Sequence, residues 1–172
     1  MPIEIENRQR KHPVSIERLS VCADTALAVL GARHERVGII LLNNRTIRSI
    51  NREFRGKNTA TDVLSFRYDT TTSPGVPFPD GEILISVERA ERQSREQGIS
   101  LESELINLMI HGICHLQGYD HEIGEAEAEK MRKAERDVAR KLIRTLQNHL
   151  LPHTGAFPIA DIRGKIPEPE ER

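Results

Sequence analysis

The sequence predicts an α+β fold: a small mixed four-stranded sheet packed with about five helices, one of them a buried central helix. Three observations predict it. PIEIE, VGIILL, DVLSF and EILIS are short, strongly apolar or alternating stretches of strand length. The segments around them carry helical periods enough for five helices. The resulting order, β-α-β-α-β-β and then helices, suits an α+β sandwich in which crossover helices allow some parallel pairing.

PIEIE alternates apolar and acidic residues and reads as a strand with one wet face. Ser15 is placed to cap a helix through Leu30, with Ile16, Leu19, Ala23, Leu27 and Leu30 on one side and Gly31 as its stop. VGIILL, residues 37–42, is an apolar run of buried-strand type. A second helix spans about Arg45 to Phe54, with Ile47, Ile50 and Phe54 on its apolar face. DVLSF, residues 62–66, is the next strand, and the turn-rich TTTSPGVPFPD after it reads as a loop. EILIS, residues 82–86, alternates again, and a helix from Val87 ends at Gly98. Ser100 is the next N-cap, with Glu102 and Glu104 in the favourable first turn. The helix it opens carries Leu105, Ile106, Leu108, Met109, Ile110 and Ile113, apolar on almost every side, which predicts burial. A last helix from Glu125 to Leu150 has Met131, Val138, Leu142 and Leu146 at helical spacing, and Pro152 stops it. Residues 1–150 are therefore expected to form one domain. Residues 151–172, rich in Pro and charge without a sustained period, are expected to be a loosely ordered tail.

Composition narrows the function classes. A chain of 172 residues can bury a core without covalent staples. The two cysteines, Cys22 and Cys114, sit in apolar helical patterns, which argues against a disulfide framework. The N-terminus lacks the apolar core of a signal peptide, and no run approaches the roughly 18 apolar residues of a membrane span. A cytoplasmic protein with no membrane partner is expected. With a net charge of −1, any case for nucleic acid must be local. With four Phe, two Tyr and no Trp, a base-stacking platform of the single-strand-binding type is not expected.

The chemistry concentrates in HGICHLQGYDH, residues 111–121. His111 and His115 are one turn apart on the buried helix, so their rings share a face with Cβ atoms roughly 5–6 Å apart. Gly118 can end the helix and turn the chain so that His121 returns to the same point. Three histidines with a fourth position open is the ligand set of a catalytic zinc rather than a structural one. The spacing is that of a class of zinc proteases, but those carry a glutamate after the first histidine as proton shuttle, and here that residue is Gly112. Glycine at this position would leave space near the metal for backbone or a bulky substrate. Asp120 is either a partner orienting a histidine or a plain turn residue. Cys114 reads as a buried small hydrophobe, and His12, His34, His149 and His153 as surface residues.

A second feature is RTIRSINREFRGK. Arg45, Arg48, Arg52 and Arg55 fall within an arc of roughly 80° opposite the apolar face, and Lys57 follows. This local ridge suits phosphate; a solvated helix face is the alternative.

RGKNTATDVLSF (55–66) and HGICHLQGYDH (111–121) together resemble the YbeY family of bacterial endoribonucleases, which act in ribosomal RNA maturation. GEILIS (81–86) and EAEAEKM (125–131) agree with it, and the resemblance spans roughly residues 37–146. It implies one Zn2+ per chain on His111, His115 and His121, and a catalytic pair of His115 and Arg55, the arginine working on an RNA phosphate. It further implies single-strand-specific cleavage in 16S rRNA 3′-end maturation and ribosome quality control, with ribosomal RNA and the ribosome or its proteins as partners. This sequence departs from the pattern at Ala60 and Arg67, where the family often has proline, and its C-terminal tail is longer. The residues alone leave two other readings: a metal hydrolase of another class, such as a peptidase or amidase, and a non-catalytic assembly factor with a structural metal.

Overall fold

The computed structural model describes residues 3–69 and 79–149. They form β1 (Ile3–Asn7), α1 (Ile16–Val29), β2 (Val37–Leu42), α2 (Asn44–Arg55), β3 (Val63–Arg67), β4 (Gly81–Ser86), α3 (Val87–Gln97), α4 (Leu101–Leu116) and α5 (Glu125–His149). The first four helix starts each have a local cause. Ser15, Asn43, Ser86 and Ser100 have extended backbones, and their side chains accept the backbone N–H three residues on. α2 begins one residue earlier than the apolar period suggests, because Asn43 supplies the cap. β3 starts at Val63 rather than Asp62, whose Oδ1 accepts the Val63 N–H at 2.8 Å while its carbonyl accepts the Ser86 N–H at 2.8 Å. The predicted tail, its boundary at residue 150, and most of the predicted loop lie outside the described residues.

The strands lie in the order β1-β2-β4-β3, with β1–β2 and β2–β4 parallel and β3–β4 antiparallel, so the sheet is mixed as expected. Its two faces have different partners. Ile39, Leu41, Ile83 and Ile85 join the main core with α1, α4 and α5, whereas Leu42, Leu64 and Leu84 pack under Ile47 of α2. The sheet therefore separates α2 from α4. α2 buries Ile47 and Asn51, and Asn51 Nδ2 donates to the Thr59 carbonyl at 2.8 Å. Phe54, placed on the apolar face by its period, is 65% exposed. It lies two turns beyond Ile47, where the Phe66 ring meets it edge-on, centroids 5.5 Å apart.

α4 crosses β4 at very short range, and two complementary notches allow it. A Cβ on Gly112 would stand 2.7 Å from Ile83 Cγ2 and 3.2 Å from Ser65 Oγ. One turn on, a Cβ on Gly81 would stand 2.9 Å from both methyls of Leu116. The helix supplies glycine where the strand is bulky, and the strand supplies it where the helix is bulky. This corrects the expectation for Gly112: its missing side chain is filled by the sheet and offers no room to a substrate.

Arg67 ties the end of α4 to the sheet. Its Nη1 donates to the Leu116 carbonyl at 2.6 Å and to Glu35 at 3.0 Å, its Nη2 to Glu35 at 2.9 Å, and Gln117 Nε2 donates to Glu35 at 2.7 Å. Burial alone pushes the Glu35 carboxyl up, but the hydrogen bonds from Arg67 and Gln117 and the Arg67 charge outweigh it and hold the group below its usual value. Half of the Arg67 side chain remains in water, so Arg67→Ala should lower stability at neutral pH by only about 1 kcal/mol. A carboxyl depressed by folding contributes stability above its unfolded pKa and loses it as pH falls through the folded value. The gap between wild type and Arg67→Ala in urea midpoint should therefore be full above pH 4.5 and narrow below it.

Candidate metal centre

α4 is anchored by Leu105, Ile106, Met109 and Ile113, each 1% exposed or less. His111 and His115 are half-buried on its remaining face, one turn apart. Beyond Leu116 the chain reverses at Gly118, whose φ of 86° puts it in the left-handed region. The Gly118 N–H donates to the His115 carbonyl at 3.0 Å and the Tyr119 N–H to the Cys114 carbonyl at 3.1 Å, a Schellman closure. Tyr119 packs back on the main core. The reversal returns exposed His121 to the two helical histidines.

The three rings form a near-regular triangle, with centroids 4.7, 5.2 and 5.2 Å apart. One nitrogen from each lies within 4.8 Å of the other two. His111 Nε2 and His115 Nε2 are 3.2 Å apart, close to the edge of about 3.3 Å that two nitrogens span in a tetrahedral zinc site. His111 Nδ1 donates to Glu135 Oε1 at 2.8 Å, which leaves Nε2 its lone pair. Burial, aided by the charges of His111 and His121, lowers the His115 pKa, so its neutral form is favoured. The donor chemistry thus fits a divalent metal. Cys114 is fully buried, and burial with the Glu135 charge pushes its thiol up to about 12, consistent with a small hydrophobe rather than a ligand.

The orienting carboxylate is Glu135, not Asp120. Asp120 Oδ1 accepts the Glu122 N–H at 2.8 Å as a turn residue does, and reaches the histidines only through its charge on His115. The sequence does carry a signal for Glu135. It interrupts the core-facing stripe of Met131, Val138, Leu142 and Leu146 on α5, and an acid in such a stripe calls for a partner.

Beside His111 and His121 opens a cleft of about 560 Å³ between α3, α4 and α5, edged by Asp62, Gln93, Asn107, Glu135, Arg132 and Arg136. Its size suits a small organic group, and its edge mixes amides with three carboxylates, Asp62, Glu104 and Glu135, and two ion-paired arginines. Arg55 stands elsewhere. It occupies the last turn of α2, exposed, on the helix that packs against the other face of the sheet, and it does not line the cleft. The loop from Arg55 reaches the cleft seven residues later at Asp62. No described helix is long and apolar enough to cross a membrane.

Similarity to known proteins agrees with this architecture. A family model described as Endoribonuclease YbeY matches residues 4–143. The protein named Endoribonuclease YbeY from Geobacter sulfurreducens is 38% identical over 141 residues, covering 80% of this chain and 93% of its own. Those of the same name from Aquifex aeolicus and Alkaliphilus metalliredigens are 38% and 40% identical, each over 80% of this chain and at least 90% of their own length. The solution structure of TM1509 from Thermotoga maritima superposes with a TM-score of 0.54 at 26% identity, covering 88% of this chain and 99% of that one. With its family model spanning most of the sequence and its relatives matched nearly end to end, the chain belongs to the YbeY endoribonuclease family.

Proposed function

We propose that the protein is a metal-dependent endoribonuclease that cuts single-stranded ribosomal RNA, acting in the cytoplasm in 16S rRNA 3′-end maturation and ribosome quality control. The observation that carries the reading is the triangle of His111, His115 and His121 at the mouth of a polar cleft, in a chain of this family. The three histidines would hold one Zn2+ through neutral imidazoles. Bound there, the ion supplies Lewis acidity toward a phosphodiester and activates its water. Glu135 fixes the His111 ring so that Nε2 faces the other two. Arg55 engages a phosphate oxygen of the bound strand, a task for which its planar fork is suited, and offsets the charge that builds up on it. The peptidase alternative lacks support: a glutamate after His111 has no space, because Ile83 and Ser65 occupy it.

Purified protein with its metal quantified, incubated with ribosomal RNA fragments and with an unfolded protein, tests the reading. RNA cleavage is expected, weakened by Arg55→Ala; protein cleavage with intact RNA would sink it. A further expectation concerns Glu135. Its removal leaves the His111 tautomer unfixed, so Glu135→Ala should weaken zinc binding about 10–100-fold in a chelator competition, with Glu135→Gln less affected.

A further inference from the structure

Most arginines of α3 and α5 are compensated: Arg92, Arg95, Arg132, Arg136 and Arg140 each pair with an acid. The ridge on α2 is different. Arg45, Arg48, Arg52, Arg55 and Lys57 form no ion pair among the described residues, and all five are exposed. The segment carries a single acid, Glu53. A helix that leaves five cations unneutralised within thirteen residues, in a chain of net charge −1, presents a local anion-binding surface. Phe54 stands in this segment, 65% exposed beside Arg55, with its ring steadied edge-on by Phe66. A lone exposed phenylalanine is ordinary on a protein surface. One held by a neighbouring ring, with uncompensated Arg55 and Lys57 next to it at the end of the helix, matches the design by which single strands are bound, with cations along the backbone and an aromatic face under a base.

We propose that Phe54 is a base-stacking platform for the single-stranded RNA substrate, whose flanking phosphates meet Arg55 and Lys57 at the C-terminal end of the ridge. The inference rests on the endoribonuclease reading for the identity of the strand. The path from ridge to metal centre is short in topology. β3 is an edge strand whose Leu64 and Phe66 face α2, while Val63 packs in the main core and Ser65 Oγ donates to the Gly112 carbonyl of α4 at 3.4 Å. A strand lying on the ridge enters the cleft by passing over that edge at Asp62. The scarcity of aromatics in the sequence argues against an extended stacking platform, and one ring at one position does not require one.

The absence of tryptophan makes a direct test possible. Phe54→Trp introduces a single fluorophore at the site, in the full-length metal-loaded protein, and a 2′-O-methyl RNA oligonucleotide serves as probe. Saturable quenching is expected, weakening with salt as phosphate contacts require, and absent with an abasic oligonucleotide of equal charge. Phe54→Ala should raise KM for a single-stranded RNA about tenfold with kcat unchanged and the melting temperature lowered by only a few degrees, for the lost contact with Phe66. Oligonucleotide binding by anisotropy without quenching, or an unchanged KM in Phe54→Ala, would overturn the proposal. Quenching in a protein that cuts no RNA would support the stacking surface and sink the enzymatic reading, so the two failures are distinguishable.

Discussion

Replacing His115 with alanine is expected to abolish stoichiometric zinc binding and to lower RNA cleavage about a thousandfold, while the metal-free protein keeps its unfolding midpoint. His115 is the middle member of the triangle: its Nε2 is 3.2 Å from that of His111, and its ring centroid is 5.2 Å from that of His121. Without it the remaining two nitrogens cannot close a tetrahedral set, and the several kcal/mol that a bound cation supplies in charge stabilisation go with it. At about 1.4 kcal/mol per tenfold, that is a loss of roughly three orders of magnitude. The fold should tolerate the change because the neighbouring core of α4 is made by Ile106, Met109 and Ile113 rather than by the histidine. Wild type should melt higher with zinc than without, and His115→Ala should melt at the same temperature in both conditions. The pH dependence has a definite sign. Zinc needs the unprotonated ring, and the His115 pKa is lowered by burial and by His111 and His121, so this ligand stays competent below the ordinary histidine value of 6.5. Acidification should release zinc, with protonation of His115 contributing only beneath that value. A variant that still carries one zinc per chain would refute the assignment of His115.

The secondary structure was legible because each element carries its own signal. Serine or asparagine caps open α1 to α4, alternation marks β1 and β4, and the all-round apolar character of α4 announces its burial. The histidine set was legible because helical geometry fixes where positions 111 and 115 point, and a glycine at 118 predicts the reversal that brings 121 back. What depends on packing between distant segments was not legible. Glu135 lies 24 residues from the histidine it orients, and no local rule pairs them. The exposure of Phe54 depends on what packs against α2, since its helical phase alone assigns it to the buried side. The role of Gly112 depends on Ile83, which only the crossing of α4 over β4 brings beneath it.

That crossing supports the second large effect. Gly112→Ala should destabilise the protein by up to about 2 kcal/mol. Alanine gains about 1 kcal/mol over glycine in a helix interior, but its methyl would sit 2.7 Å from Ile83 Cγ2, and overpacking a core typically costs 1–3 kcal/mol. Ile83 is fully buried and branched at Cβ, so it cannot swing aside, and Ser65 Oγ stands 3.2 Å away on the other side. Gly112→Glu adds a carboxylate with no partner to the same clash and should cost about 4 kcal/mol or more, a large part of the stability of a small domain. Far from restoring a protease, this substitution should yield insoluble or unfolded protein. Denaturant unfolding of the alanine variant measures the first effect, and a double-mutant cycle identifies its source. Ile83→Ala alone should lose about 2–5 kcal/mol through the cavity it leaves. In the double variant the new methyl at 112 enters that cavity, so the combined loss should fall short of the sum by about 1 kcal/mol. Strict additivity would mean that the glycine answers to something other than Ile83. The expected coupling would mean that this chain's departure from the protease pattern at Gly112 is dictated by how closely the metal-bearing helix must lie on its sheet.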